Sequence, residues 1–157
     1  MRTTIAAALL ATALAEQTFT DVLNGVHDTL PWPDLTVPLT FVQTAGQENF
    51  NIMLDGQTHG DPEPPELGKT DVFTVAGIAT HPLEIANLEF ICYLFGAKVY
   101  DELQAPDHTT AVPGTVWNGQ ASFDVPTVAP STQYDIQING LDAAGNILFT
   151  AITDFTF

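Results

Sequence analysis

Positive charge is what this sequence has least of. Three basic residues, Arg2, Lys69 and Lys98, stand against nineteen acidic ones, giving a formal net charge of −16 over 157 residues. Nucleic-acid binding draws on Lys and Arg contacts to phosphate, so the balance excludes nucleic acid as a partner. Electrostatic docking on anionic lipid headgroups is excluded for the same reason. An acidic surface keeps the chain in solution and suits a cationic or calcium-rich partner.

Cysteine is nearly absent as well. Cys92 stands alone, so no internal disulfide can form and the core must hold the fold unaided. Phe90, Ile91, Tyr93 and Leu94 flank it, and apolar surroundings raise a thiol pKa and leave it inert. Serine is scarce too: Ser122 and Ser131 are the only two, and neither sits in a G-x-S-x-G elbow. His27, His59, His81 and His108 are scattered without metal-ligand spacing and act at most as pH sensors. The acidic clusters Asp61, Glu63, Glu66 and Asp101, Glu102, Asp107 do not follow the calcium-loop pattern and read as solvated loops. Neither a metal nor a catalytic residue is expected, so the chain is read as a non-enzyme. A hydrolase working through the loop carboxylates is the weakest alternative.

Long apolar runs are also missing. The one N-terminal run, Ile5 to Leu14, follows Arg2 and closes in Ala13-Leu14-Ala15 before Glu16. That is the layout of a cleavable signal peptide over 1–15, and it is shorter than the roughly 20 residues that span a bilayer. A secreted or lumenal location, endolysosomal or extracellular, follows, and stable membrane insertion is not expected. No Asn-x-Ser/Thr acceptor for sugar occurs in the chain.

What the sequence does contain is strand pattern. Residues 16–28 admit a helical turn or two, but Pro31 and Pro33 block continuation. Beyond them "LTVPLTFV" places Leu35, Val37, Leu39 and Phe41 on one face of an edge strand. "NFNIMLDG" turns Phe50, Ile52 and Leu54 inward, and "DVFTVAGIAT" does the same with Phe73 and Val75. "GQASFDVPTV" offers Ala121, Phe123 and Val125. In "TQYDIQINGLD", Tyr134, Ile136 and Ile138 face in while Gln133, Asp135, Gln137 and Asn139 face out. "AAGN" is a hairpin turn, and "ILFTAITDFTF" spaces Ile147, Phe149, Ala151 and Phe155 on one face. Short strands without crossover helices mean an all-β, immunoglobulin-like antiparallel β-sandwich of seven to eight strands. The domain reading is 1–15 signal peptide, 16–49 extension with an edge strand, and 50–157 sandwich.

Residues 85–101 read as one long strand whose two faces both avoid charge over 90–95. An antiparallel sheet usually keeps one face polar. Either another element covers that strand, or its apolar residues line a space wider than a closed core.

"DVFTVAG" (71–77), "YLFGAKVYDE" (93–102) and "VPTVAPSTQYDIQINGLDAAGNILFTAITDFTF" (125–157) carry a further signal. In order and spacing they resemble the ML lipid-recognition domain. The likeness is to its phosphatidylglycerol/phosphatidylinositol transfer branch and to the soluble Niemann–Pick cholesterol carrier type. The resemblance implies two sheets that splay apart around an apolar cavity for a sterol, a fatty acid or phospholipid acyl chains. On it, Phe73, Val75, Phe90, Cys92, Leu94, Tyr134, Ile136, Ile138 and Phe149 line the pocket. Lipid is then the only bound group, with no cofactor beside it. Family members carry disulfides this chain lacks, and Thr150 stands where the resemblance places a cysteine. The alternative is a secreted structural or assembly module using the same sandwich without a ligand, with residues 16–49 meeting a protein partner.

Overall fold

The structure, a computed structural model, describes residues 39–157. The signal segment, the short helix over 16–28 and the inward positions Leu35 and Val37 lie outside the described residues. The described residues form strands and connections with no helix. In chain order the strands are β1 (Val42–Ala45), β2 (Phe50–Ile52), β3 (Thr70–Ala79), β4 (Leu83–Glu84) and β5 (Asn87–Leu94). They continue with β6 (Ala97–Gln104), β7 (Thr110–Ala111), β8 (Val116–Asp124), β9 (Gln133–Leu141) and β10 (Ile147–Thr156).

A five-stranded sheet runs β1-β10-β9-β5-β6 and a three-stranded sheet runs β2-β3-β8, with β4 and β7 as a separate pair. Every ladder is antiparallel. The eight strands of the two larger sheets match the expected sandwich. The pair of two-residue strands brings the total to ten.

Alternation drives the packing, as a period of two sends successive side chains to opposite faces. Strand β8 shows it cleanly: Trp117, Gly119, Ala121 and Phe123 are buried while their neighbours are exposed. Inward residues of both sheets merge into one core, in which Phe73 of β3 meets Phe90 of β5 with ring centroids 5.1 Å apart. Leu39 and Phe41, within the stretch read as an extension, are part of that core. Among the described residues the edge strand there begins at Val42, where pairing with Ile152 starts.

Three expectations need correction. Residues 85–101 are not one strand: the chain reverses at Phe95-Gly96, whose φ angles are 51° and 74°. Leu94 and Ala97 pair across this two-residue turn. Positive φ at both central residues is what a tight hairpin matching strand twist requires. Leu54 and Ile147 are exposed, at 52% in both cases, because β2 ends at Ile52 and a bulge separates Ile147 from Phe149. Asn139 is outward by parity yet buried, its amide donating to Glu89 Oε2 at 2.7 Å and accepting from the Thr150 hydroxyl at 2.9 Å.

Among the described residues neither lateral margin of the sandwich is closed by a backbone ladder. Each is closed by a glutamine side chain that imitates a strand. At the β1/β2 margin, Gln43 donates to the Phe50 carbonyl at 2.6 Å and accepts from the Ile52 amide at 2.9 Å. At the β6/β8 margin, Gln104 donates to the Ser122 carbonyl and accepts from the Ser122 amide, both at 2.7 Å.

Candidate ligand site

The two ends of the interior are built differently. At one end Phe50 stacks on Phe149 at 4.6 Å and meets Trp117 edge-on at 5.6 Å. Backbone without Cβ makes room for these rings. A Cβ on Gly140 would lie 2.2 Å from the Phe149 ring, and one on Gly77 would lie 2.2 Å from the Phe50 ring. Trp117 spends its indole N–H on the His108 carbonyl at 2.7 Å, so a buried donor is satisfied. This end is packed ring on ring.

At the other end the sheets leave a notch of about 220 Å³. Cys92 from β5, Tyr100 from β6, Phe123 from β8, Tyr134 from β9 and Phe155 from β10 form its walls. Both sheets therefore contribute. Val99 and Val128 stand at its rim, 54% and 61% exposed. Proline at 126 and 130 shapes the connecting loop, and the Tyr134 hydroxyl donates to the Pro130 carbonyl at 3.1 Å, fixing that wall. The notch begins one residue beyond the Gln104–Ser122 clip along β8.

The nine residues expected to line a pocket can now be placed. Phe73, Val75, Phe90, Cys92, Tyr134, Ile136, Ile138 and Phe149 all face the space between the sheets and belong to one core cluster. Leu94 is partly buried against it. Of the nine, Cys92 and Tyr134 border the notch. Phe73 and Phe90 pack against one another in the middle, and Phe149 belongs to the ring-packed end. The notch residues that sequence reasoning missed are Val99, Tyr100, Phe123, Val128, Phe155 and Phe157 among its apolar lining. Inward parity marked Phe123 and Phe155. The hairpin at Phe95-Gly96 hid Tyr100, because a single strand would carry it far past Cys92, whereas the turn brings it back opposite Cys92.

Burial sets the electrostatics. The Cys92 thiol is pushed up to about 11 by burial and then by the Asp135 carboxylate, so it is a neutral wall residue. Burial, then the Glu102 carboxylate, raises the Tyr100 phenol to about 12. Asp71 is the anomaly: it faces inward on β3, fully buried beside Phe73. Its Oδ1 accepts the Asp61 amide at 3.0 Å, while Oδ2 has no partner among the described residues. Burial, with Asp61 and Glu63 nearby, raises its carboxyl from 3.8 to about 6.

A second depression of about 300 Å³ lies on the outer face of the five-stranded sheet, lined by Tyr93, Asp135, Gln137, Ile152 and Asp154 among others. Its lining comes from Thr40 and from strands β1, β5, β9 and β10, and none of it from the three-stranded sheet. Among the described residues no group of three or more His, Cys, Asp or Glu could hold a metal ion. No helix among them is long and apolar enough to cross a membrane.

No protein-family model matches the chain, and no curated protein sequence matches it either. Among solved structures, it is similar to a Niemann-Pick type C2 protein from the Japanese carpenter ant. The match has 9% sequence identity and a TM-score of 0.42, covering 80% of this chain and 97% of that one.

Proposed function

We propose that the protein is a non-catalytic carrier, secreted or lumenal, that holds the hydrocarbon part of a lipid between its two sheets. The observation that carries this reading is the inter-sheet notch, with apolar walls from both sheets and two exposed valines at its rim. Burying hydrocarbon there contributes about 0.8 kcal/mol per methylene, which suffices to draw a chain from water without chemistry. The order of motifs along 71–157 supports the same reading. Cys92, held protonated by its surroundings, is a wall and not a nucleophile. Native mass spectrometry of the purified protein, with displacement of N-phenyl-1-naphthylamine by added lipids, tests it. Retained lipid or displaceable probe is the expected result. No bound lipid and no probe binding would end the carrier reading.

The ring-packed end favours a second reading, a structural module whose interior is core alone. Strand β6 is an exposed sheet edge bearing Val99 and Leu103, and an unpaired edge can template pairing with another chain. Concentration-dependent association, abolished by proline within β6, would support it.

A further inference from the structure

We propose that the notch takes a single hydrocarbon chain ending in a primary ammonium group, held at the rim by Asp124, in preference to a chain ending in a carboxylate. This deepens the carrier reading and rests on it.

Size limits the hydrophobic part. About 220 Å³ falls below the roughly 300 Å³ at which ordinary small-molecule pockets begin. A rigid sterol nucleus or paired acyl chains demand more. A single flexible chain can enter end-on between Val99 and Val128.

Charge selects the head. Among the described residues that line the notch, Asp124 is the one that is charged. Its Oδ1 accepts the Thr70 hydroxyl at 2.6 Å, and that bond fixes the carboxylate while Oδ2 has no partner among the described residues. Glu102 lies close by and accepts from the Tyr100 hydroxyl. Tyr100, itself part of the notch wall, has its ionisation opposed by burial first and then by both Glu102 and Asp124. The wall therefore sits in the negative field of these carboxylates, to which Asp135 adds at Cys92. Among the described residues no cation lines the notch: Lys69 pairs with Glu66 and Lys98 with Asp101. The chain as a whole carries −16. A carboxylate head would meet repulsion from Asp124, whereas an ammonium would gain a charge-assisted hydrogen bond.

The test is displacement of N-phenyl-1-naphthylamine, a neutral probe, by decylamine, decanol and decanoate at pH 7 and low salt, below their micelle-forming concentrations. Wild type is compared with Asp124→Asn and with Asp154→Asn. Asp154 is exposed on the outer face of the five-stranded sheet and does not line the notch, so its change removes the same net charge without removing a group at the site. Decylamine should displace the probe at about tenfold lower concentration than decanoate, with decanol between them, as expected when an exposed ion pair replaces a repulsion. That ratio should fall to about threefold in Asp124→Asn, stay near wild type in Asp154→Asn, and shrink with added salt. Equal displacement by decylamine and decanoate would overturn the headgroup inference while leaving the carrier reading intact. So would an equal loss of selectivity in the two variants, since the preference would then belong to the bulk charge. If no chain displaces the probe, both readings fall together.

Discussion

The two ends of this sandwich solve the same packing problem in opposite ways. Where β3, β8 and β9 carry Gly77, Trp117 and Gly140, aromatic rings sink onto bare backbone and fill the gap between the sheets. Where the same strands carry Asp71, Phe123 and Tyr134, the filling stops short and a notch remains. One end spends its aromatic residues on close packing, and the other spends them on walls. On the carrier reading, the contrast assigns stability and ligand binding to different residues of one continuous core.

The comparison is most easily broken at the packed end. Phe149→Ala should cost about 3–5 kcal/mol, the usual range for removing a fully buried phenylalanine, as measured by chemical denaturation. Val128→Asp at the notch rim should leave the denaturation midpoint nearly unchanged and abolish probe binding, since Val128 is 61% exposed. If instead Val128→Asp unfolds the protein and Phe149→Ala is silent, the assignment of the two ends is reversed.

Asp71, opposite Phe123 at the notch end, predicts a pH dependence. Its carboxyl sits near 6 in the folded protein and near 3.8 when unfolded, so between these values the folded state holds the extra proton. Stability therefore falls as pH rises from about 4 to about 6, then levels off roughly 3 kcal/mol lower, all else being equal. Asp61 and Glu63 face the same carboxyl and oppose its ionisation, adding to the effect of burial. Asp71→Asn should be more stable than wild type at pH 7 by about that amount, the gap closing toward pH 4. Parallel stability curves for the two proteins across this range would refute the role given to Asp71.

The glutamine clips sharpen the comparison at the margins. Gln43→Ala strips partners from the Phe50 carbonyl and the Ile52 amide at a margin filled by core residues, and should cost about 1–3 kcal/mol. Gln104→Ala should cost about 1 kcal/mol, because Ser122 is exposed and water replaces the lost bonds. Stopped-flow mixing should show the Gln104 variant, and not the Gln43 variant, exchanging the fluorescent probe faster. A comparably small effect belongs to the hairpin tip. Phe95 holds a φ of 51° while 82% exposed, and Phe95→Asn should stabilise by about 1 kcal/mol, since asparagine tolerates that region better.

Much of this was legible in the sequence because alternation is a strong signal in half-buried strands. Tyr134, Ile136 and Ile138 are buried, as the pattern of β9 requires, and Gln133 and Asp135 are exposed. The Phe95-Gly96 turn was not legible, because a bulky residue at positive φ gives no turn signature beyond the glycine beside it. Asp71 was hidden for a related reason. An acidic residue at a strand start reads as solvated, and only the packing of the 59–61 segment along β3 buries it. The notch itself depends on side chains that the rings do not fill, a difference in volume between two ends that share one polarity pattern. Which inward residues would line a space and which would fill it could not be read from their order.

The most direct test of the central claim is where a chain lands. An alkylamine carrying a diazirine on its terminal carbon can be photolysed in the bound state and its adducts mapped by peptide mass spectrometry. Adducts should fall at Cys92, Tyr100, Phe123, Tyr134 and Phe155, the walls of the notch. Adducts at Phe50, Trp117 and Phe149, or on the outer face around Tyr93 and Ile152, would contradict the account.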